Sequence, residues 1–368
     1  MPSEKRLQHL QKVLADNGLD AAALIPGPGF FYLTGSVHHV MERPIVLFVP
    51  REGRPAIVIP DLEADFFASK GFEADHFRWA DADGFEGAFA AALAHMELLD
   101  GRIGIEGQNM RFFESEAIRR NAPDAALLDA QELISSIRLS KEPEEIEALR
   151  RAIRISEQAL ENTVNWLRAG MTEREVANFL INQMSELGGQ GLSFEPLVLG
   201  GDNSSRPHGK IRDDVPLAAG DALIFDFGTV INGYPADITR TFFIRKASEE
   251  ARALYAAVLH ANTVGRETAR PGLPCGELDA IVTQTLLDAG YGDYILHRTG
   301  HGLGLDVHEG PWITRGNEAP LEPGMVFTIE PGLYKTDVLG VRVEDNVVIT
   351  DDGLESLTSF PRELRIIG

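Results

Sequence analysis

The residues whose types and spacing could do chemistry together are Asp226, Asp237, His301, Glu330 and Glu344. The first two share one segment, residues 221–243, which reads DALIFDFGTVINGYPADITRTFF. Within it, Asn232-Gly233 is a strong signal for a two-residue hairpin turn. That turn puts Asp226 opposite Thr239 and Gly228 opposite Asp237. The two aspartates are then diagonal neighbours on one sheet face, ~7–8 Å apart at the backbone. Both carboxylates can reach one ion or an adjacent pair, and Gly228 leaves room for it. Two ionised carboxylates so placed repel each other unless a cation or a shared proton intervenes. The ordinary alternative is two acids on a solvated face.

A second segment, residues 297–311, reads HRTGHGLGLDVHEGP and holds three of the ten histidines, His297, His301 and His308. Its glycines at 300, 302 and 304 argue against a helix and permit close backbone approach to a ligand. A lone histidine is usually structural, but three in a glycine-rich loop are a site candidate. The third segment, residues 324–350, reads GMVFTIEPGLYKTDVLGVRVEDNVVIT. Strand alternation sets Val341, Val343 and Val347 on one face and Arg342, Glu344 and Asn346 on the other. Glu330 closes the preceding strand, before a turn at Pro331-Gly332. A carboxylate in so apolar a run needs a partner if buried. A surface pair between Glu344 and Arg342 is the plain alternative.

Taken together, four carboxylates and one imidazole make a hard, oxygen-rich ligand set. Their negative charge balances two divalent ions. Such ions, ~3.5–4 Å apart, can orient a water, lower its pKa and polarise a carbonyl. A single structural zinc would not use four acids, and calcium would not favour a histidine.

These residues need elements to hold them. A chain of 368 residues is long for one core, so two domains are expected. Residues 4–17 read as an amphipathic helix. Apolar runs at 21–25, 45–49, 56–59 and 102–105 alternate with helix-like stretches near 62–70, 84–98 and 111–120. That pattern predicts an α/β domain with a mixed sheet. The boundary is set near residue 138, giving domains 1–138 and 139–368. Pro143 suits a helix's first turn, and the helix runs to about residue 167. Thr172 and Glu175 form a capping box for a second helix, to about 187. Strands follow at 194–199, 221–229, 236–244, 325–330 and 339–349, around helices at 248–269 and 276–289. Two helices then strands, twice, is an α+β pattern.

The net charge is −22, from 56 acidic and 34 basic residues. So acidic a chain repels phosphate backbones and anionic membranes, which excludes nucleic acid and membrane as expected partners. The single cysteine, Cys275, rules out an intrachain disulfide framework and suits a reducing, cytoplasmic setting. The N-terminus, from Met1 to Arg6, leads into no long apolar stretch. No signal peptide and no membrane span are expected.

At its motifs the chain resembles the pita-bread metallopeptidases: Xaa-Pro dipeptidase (prolidase), aminopeptidase P and methionine aminopeptidase. The matching pieces are IFDFGTVINGYPADITRT, HRTGHGLGLDVHEGP, FTIEPG and GVRVED, in family order. The resemblance covers 140–368 strongly, and the N-terminal part resembles a creatinase/prolidase-type domain more loosely. It implies an α/β N-terminal domain and an α+β pita-bread catalytic domain. It also implies roles: Asp226 on one metal, His301 and Glu330 on the other, Asp237 and Glu344 bridging both. Glu330 would shuttle a proton as general base. His308 would hydrogen-bond the substrate or its developing oxyanion. His208, in SRPHG, matches the family's upstream active-site histidine. Arg342 could pin Glu344, meet a product carboxylate bidentately, or serve as a structural ion pair. One departure stands out. Some short prolidases carry an arginine just after the proline matching Pro311, and here Trp312 follows it.

The implied activity is hydrolysis of the bond preceding proline, in Xaa-Pro dipeptides first and in longer Xaa-Pro peptides, as in aminopeptidase P, second. The implied cofactors are two divalent ions, manganese first, with cobalt, zinc or iron as alternatives. The intact ligand set argues against a metal-free creatinase. The long N-terminal domain argues against methionine aminopeptidase. A catalytically inactive scaffold is the rival of another class. The expected partners are a small peptide with proline second and another copy of the chain, in a homodimer. His38-His39 could reach a partner's site, or be two solvated loop histidines.

Overall fold

The computed structural model describes residues 4–368. Residues 1–3, where the expectation of no signal peptide begins, lie outside the described residues. The chain divides into two compact units, Met1–Arg138 and Leu139–Gly368. Among the described residues, no helix is long and apolar enough to cross a membrane.

The first unit is built on a six-stranded mixed sheet. Its middle strands are the apolar runs Ala21–Leu24, Val46–Pro50, Ala56–Pro60 and Arg102–Ile105. Ala21–Leu24 pairs antiparallel with Val46–Pro50 and parallel with Arg102–Ile105. Two strands escaped the sequence pattern, Asp75–Trp79 and Ala126–Asp129, and both are sheet edges. Edge strands need no continuous apolar run, and charged side chains there discourage stray pairing. Asp75–Trp79, with Asp75, His76 and Arg78 among its five residues, fits that rule.

His38 departs from the expectation of a solvated loop histidine. Its side chain is 1% exposed. It bonds the Ser36 hydroxyl at 2.9 Å and the Glu63 carboxylate at 3.0 Å, among Phe30, Phe66 and Phe67. Burial depresses its pKa, against the opposing pull of Glu63. Packing and both ring-nitrogen bonds hold it in place, so it is not a solvated loop histidine.

The second unit holds the site. Pro143 opens the helix Pro143–Trp166, and Glu142 and Glu145 close a capping box around its first turn. Thr172 and Glu175 do the same for Glu173–Glu186. These helices pack over a four-stranded sheet of Leu197–Gly200, Ala222–Phe227, Ile238–Ile244 and Arg365–Ile367. A second helix pair, Glu249–Thr268 and Cys275–Asp288, shares a core with Phe327, Ile329, Val341, Val343 and Val347. Those last residues belong to or flank a five-stranded sheet containing Gly300–Gly302, Val326–Ile329 and Asp345–Ile349.

The hairpin keeps one register. Thr239 is opposite Asp226, Ile238 opposite Phe227, and Tyr234 opposite Ile231 across the Asn232-Gly233 turn. Asn232 has φ 53°, as such a turn requires. The run 339–349 is not one strand. Leu339–Arg342 pairs with Gly332–Lys335, while Asp345–Ile349 pairs with Val326–Ile329. Glu344 sits at the break. Both faces of the run are buried: Arg342, Glu344 and Asn346 are as inaccessible as the valines between them. A surface Glu344–Arg342 pair is therefore excluded.

Two glycine roles also differ from expectation. A Cβ on Gly228 would lie 1.8 Å from the Ala236 carbonyl oxygen. One on Gly300 would lie 1.9 Å from that of Thr328. These glycines admit a neighbouring backbone rather than a ligand, and 300–302 is a strand rather than a loop.

Candidate metal centre

Asp226 is the next-to-last residue of one strand of the hairpin, and Asp237 immediately precedes the other. The Asp237 backbone is clamped by Asn346. Its N–H donates to Asn346 Oδ1 at 3.2 Å, and Asn346 Nδ2 donates back to the Asp237 carbonyl. Asn346 lies on the opposite sheet, so this clamp joins the two sheets where the acids converge. Glu344 N–H donates to the Thr239 carbonyl at 3.1 Å, a second such tie.

His301 is 4% exposed and comes from the strand Gly300–Gly302. Its Nδ1 faces the Gly302 carbonyl at 3.1 Å. A carbonyl only accepts, so Nδ1 carries the proton and Nε2 presents a lone pair. That Nε2 lies 3.3 Å from Glu330 Oε1 and 3.6 Å from Asp237 Oδ2. Lone pairs so arranged repel unless a cation or a proton sits among them. The Thr328 hydroxyl links both residues: it accepts from the His301 N–H at 3.1 Å and donates to Glu330 Oε1 at 3.2 Å.

Ligand-capable atoms converge in three overlapping groups, each within 4.8 Å: Asp226, Asp237 and Glu344; His301, Glu330 and Glu344; and Asp237, His301 and His308. All five sequence candidates are included, and Glu344 belongs to two groups. The electrostatics match. Burial, then repulsion from Glu344, Asp226 and Glu330, holds the Asp237 carboxyl well above its usual range. Burial, then Glu330 and Asp226, does the same to Glu344. Burial raises Glu330 to about 7, against the pull of Arg342. Burial, helped by His308, drives His301 down to about 3. The cluster strains to shed its negative charge by taking up protons, and its imidazole is neutral. Oxygen donors in excess over one neutral nitrogen suit divalent cations of intermediate hardness.

Arg342 is 4% exposed, and each of its three side-chain nitrogens makes a bond. Its Nη2 pairs with Asp226 Oδ2, Nε donates to Thr239 Oγ1 at 2.9 Å, and Nη1 to the Tyr334 hydroxyl at 2.8 Å. It therefore pins Asp226 rather than Glu344. Glu344 is held instead by the Thr239 hydroxyl, at 2.6 Å. Tyr334 in turn meets His297 Nε2 at 2.9 Å, while His297 Nδ1 meets the Arg298 carbonyl at 2.8 Å. Nδ1 thus holds the proton, Nε2 accepts, and Tyr334 donates.

His208 and His308 both line the cleft that opens onto the cluster, and both are solvent-exposed. The His308 ring centroid is 3.9 Å from that of His301. His208 follows the short helix Gly201–Ser205. That segment is anchored by Asn203 Nδ2 on Glu173 Oε2 at 3.0 Å and by Gly340 N–H on Ser204 Oγ at 2.9 Å.

Sequence reasoning missed Thr239, Thr328, Tyr334, Asn346 and the pair Arg240–Asp345. Arg240 and Asp345 are 1% and 0% exposed and meet at 2.7 Å. Arg240 Nη1 also donates to the Glu344 carbonyl at 2.5 Å and to that of Thr239 at 2.9 Å. It thereby fixes the backbone carrying the cluster. The available signal was polar residues inside apolar strands, such as Arg240 in DITRTFF.

Comparison with known proteins places this arrangement. Residues 147–351 match metallopeptidase family M24, and residues 6–140 match the creatinase/prolidase N-terminal domain. The chain is 34% identical to the putative dipeptidase YkvY of Bacillus subtilis, over 98% of this chain and 99% of that one. It superposes on a prolidase from Thermococcus sibiricus with TM-score 0.93 at 33% identity, covering 100% of both chains. A dipeptidase from Pyrococcus horikoshii gives TM-score 0.93 at 34% identity, covering 98% of this chain and 100% of that one. An N-terminal α/β domain, a pita-bread domain of paired helices over curved sheets, and buried carboxylates around one imidazole go together: the chain belongs to metallopeptidase family M24.

Proposed function

We propose that this chain is a dinuclear metal-dependent Xaa-Pro peptidase that cuts the bond preceding proline, with Xaa-Pro dipeptides as its first substrates. The observation that carries it is the pair of ligand groups sharing Glu344. Asp226 would serve one ion, His301 and Glu330 the other, and Asp237 and Glu344 both. Four carboxylates and the cationic Arg342 leave the site net negative, as two divalent ions require. When bound, such a pair activates a water and polarises the substrate carbonyl. Manganese is our first choice, with cobalt, zinc or iron fitting the same donors.

The chain's own groups do the rest. Glu330, whose Oε1 lies beside His301 Nε2 and the Thr328 hydroxyl, would serve as the proton carrier. His208 and His308, exposed on the cleft, offer N–H donors to the substrate and to oxyanion charge. Arg342 fixes Asp226, and each of its side-chain nitrogens bonds within the protein, which favours a positioning role over substrate contact. The bond before proline is a tertiary amide with no N–H, so recognition and activation must come through the carbonyl. Prolidase and dipeptidase relatives support the substrate class.

The lone, buried Cys275 supports a cytoplasmic setting. The exposed apolar Val37, Val40 and Met41, with Leu62 and Phe66, support self-association as a homodimer.

Purified protein with Mn²⁺, assayed on Ala-Pro and on Ala-Pro-Ala, tests the assignment. Hydrolysis of neither sinks it. Preference for the tripeptide moves it to the aminopeptidase P type. Turnover of Met-Ala-Ser in their place would favour methionine aminopeptidase. A protein that binds no divalent ion at any concentration would be a scaffold.

A further inference from the structure

Three arginines line the cleft, Arg206, Arg298 and Arg342. Two are committed to carboxylates of the chain. Arg342 pairs with Asp226. Arg206 donates to Asp337 at 2.6 Å and lies 3.6 Å from Asp202. Arg298 makes no ion pair and no side-chain hydrogen bond among the described residues. Its guanidinium instead lies over the Trp312 ring, 4.7 Å from the centroid. The residue is half-buried.

Stacking on an indole face orients the planar guanidinium and leaves its in-plane N–H donors open. An arginine so held is preorganised for a planar, bidentate anion such as a carboxylate. It remains uncommitted in a chain with 56 acidic and 34 basic residues, where carboxylate partners are plentiful. Its backbone is fixed by the bond from His297 Nδ1 to its carbonyl, at 2.8 Å. It also lies near enough to the cluster for its charge to act on His301, His308 and Glu330.

Substrate length makes such a group necessary. An extended dipeptide spans at most about 7 Å. Its terminal carboxylate therefore stays inside the cleft, close to Asp226, Asp237, Glu330 and Glu344. Repulsion there must be offset by a cation. A longer peptide carries its carboxylate outward and has no such need.

We propose that Arg298, seated on Trp312, binds the free C-terminal carboxylate of the substrate and selects dipeptides over longer or capped peptides. This rests on the Xaa-Pro peptidase assignment above. The test compares Ala-Pro with Ala-Pro-amide on Mn²⁺-loaded wild type and Arg298→Gln, reading the ratio of kcat/KM for acid over amide. A charge-assisted bond contributes about 1.5–3 kcal/mol, or roughly a 10–100-fold change. The ratio should fall by that factor in Arg298→Gln, chiefly through KM for the acid. Arg298→Lys, which keeps the charge but not the fork, should be intermediate. It also stands in if the glutamine variant does not fold. A merely structural role would lower both activities in step and leave the ratio at its wild-type value; that result overturns the proposal. Wild type that hydrolyses neither peptide defeats the assignment itself, and Arg298 with it. Wild type active on Ala-Pro with an unchanged ratio in both variants defeats Arg298 alone.

Discussion

The Thr239 hydroxyl donates to Glu344 Oε2 at 2.6 Å and accepts from Arg342 Nε at 2.9 Å. Through Arg342 the same hydroxyl reaches Asp226. One side chain on the hairpin therefore sets the rotamers of two proposed ligands. Groups that orient metal ligands commonly affect affinity by about 10–100-fold. Thr239→Val keeps the shape and removes both bonds. Its Mn²⁺ affinity, measured by calorimetric titration of metal-free protein, should drop within that range, and Thr239→Ser should restore most of it. Wild-type affinity in Thr239→Val would show that Glu344 needs no such support.

Metal removal should couple to pH in a definite direction. Burial, followed by mutual repulsion, raises Asp237 and Glu344, and burial raises Glu330 to about 7. A carboxyl raised on folding binds more protons folded than unfolded. The metal-free protein therefore loses stability as pH climbs from the unfolded value, about 4.3 for glutamate, through the folded one. Bound cations displace those protons and cancel the penalty. The melting-temperature gap between Mn²⁺-saturated and chelator-treated protein should widen from pH 5.5 to pH 8. A gap that is flat or narrows would mean the acids are not held protonated without metal.

The buried pair Arg240–Asp345 runs the other way. Burial alone would raise Asp345, but Arg240 and Arg362 outweigh it and leave its pKa lowered. Arg362 Nε meets Asp345 Oδ2 at 2.6 Å. A depressed folded pKa gives stability that is present above the unfolded value and lost as pH falls through the folded one. Asp345→Asn leaves buried guanidinium charge unpaired, which costs about 3–5 kcal/mol. Urea unfolding should show that deficit at pH 7 and a smaller one below about pH 3.9. An equal deficit at both would place the cost in packing rather than charge.

What was legible in the sequence follows the range of the interactions involved. The Asn232-Gly233 turn is local chemistry, so it fixed which residues face Asp226 and Asp237 without tertiary information. The Thr172 capping box and the proline that opens the preceding helix, Pro143, are equally local. Thr239, Asn346 and Arg240 were invisible because their partners lie more than a hundred residues away. Alternation along 339–349 misled for a related reason. It presumes one wet face, whereas here a second sheet covers the polar one and turns Arg342 and Glu344 into interior groups. Gly228 read as space for an ion because its close neighbour, the Ala236 carbonyl, is set by the bend of the hairpin.

Glu330 carries two proposed duties, ligand and proton carrier, and these can be separated. Its Oε1 faces His301 Nε2 and accepts from Thr328, and its backbone N–H donates to the Thr299 carbonyl at 2.8 Å. Thr328 thus holds the side chain and Thr299 the backbone. Glu330→Gln keeps the size and one carbonyl oxygen but gives up the charge and the basic site. If ligation were its whole contribution, excess Mn²⁺ would recover activity by mass action. If it also moves a proton, kcat should stay about 10²–10⁴-fold down at saturating metal. Ala-Pro turnover across an Mn²⁺ titration, with bound metal quantified at each point, decides between them. Full recovery of kcat at saturation would reassign the proton transfer to another group, with His308 the next to test.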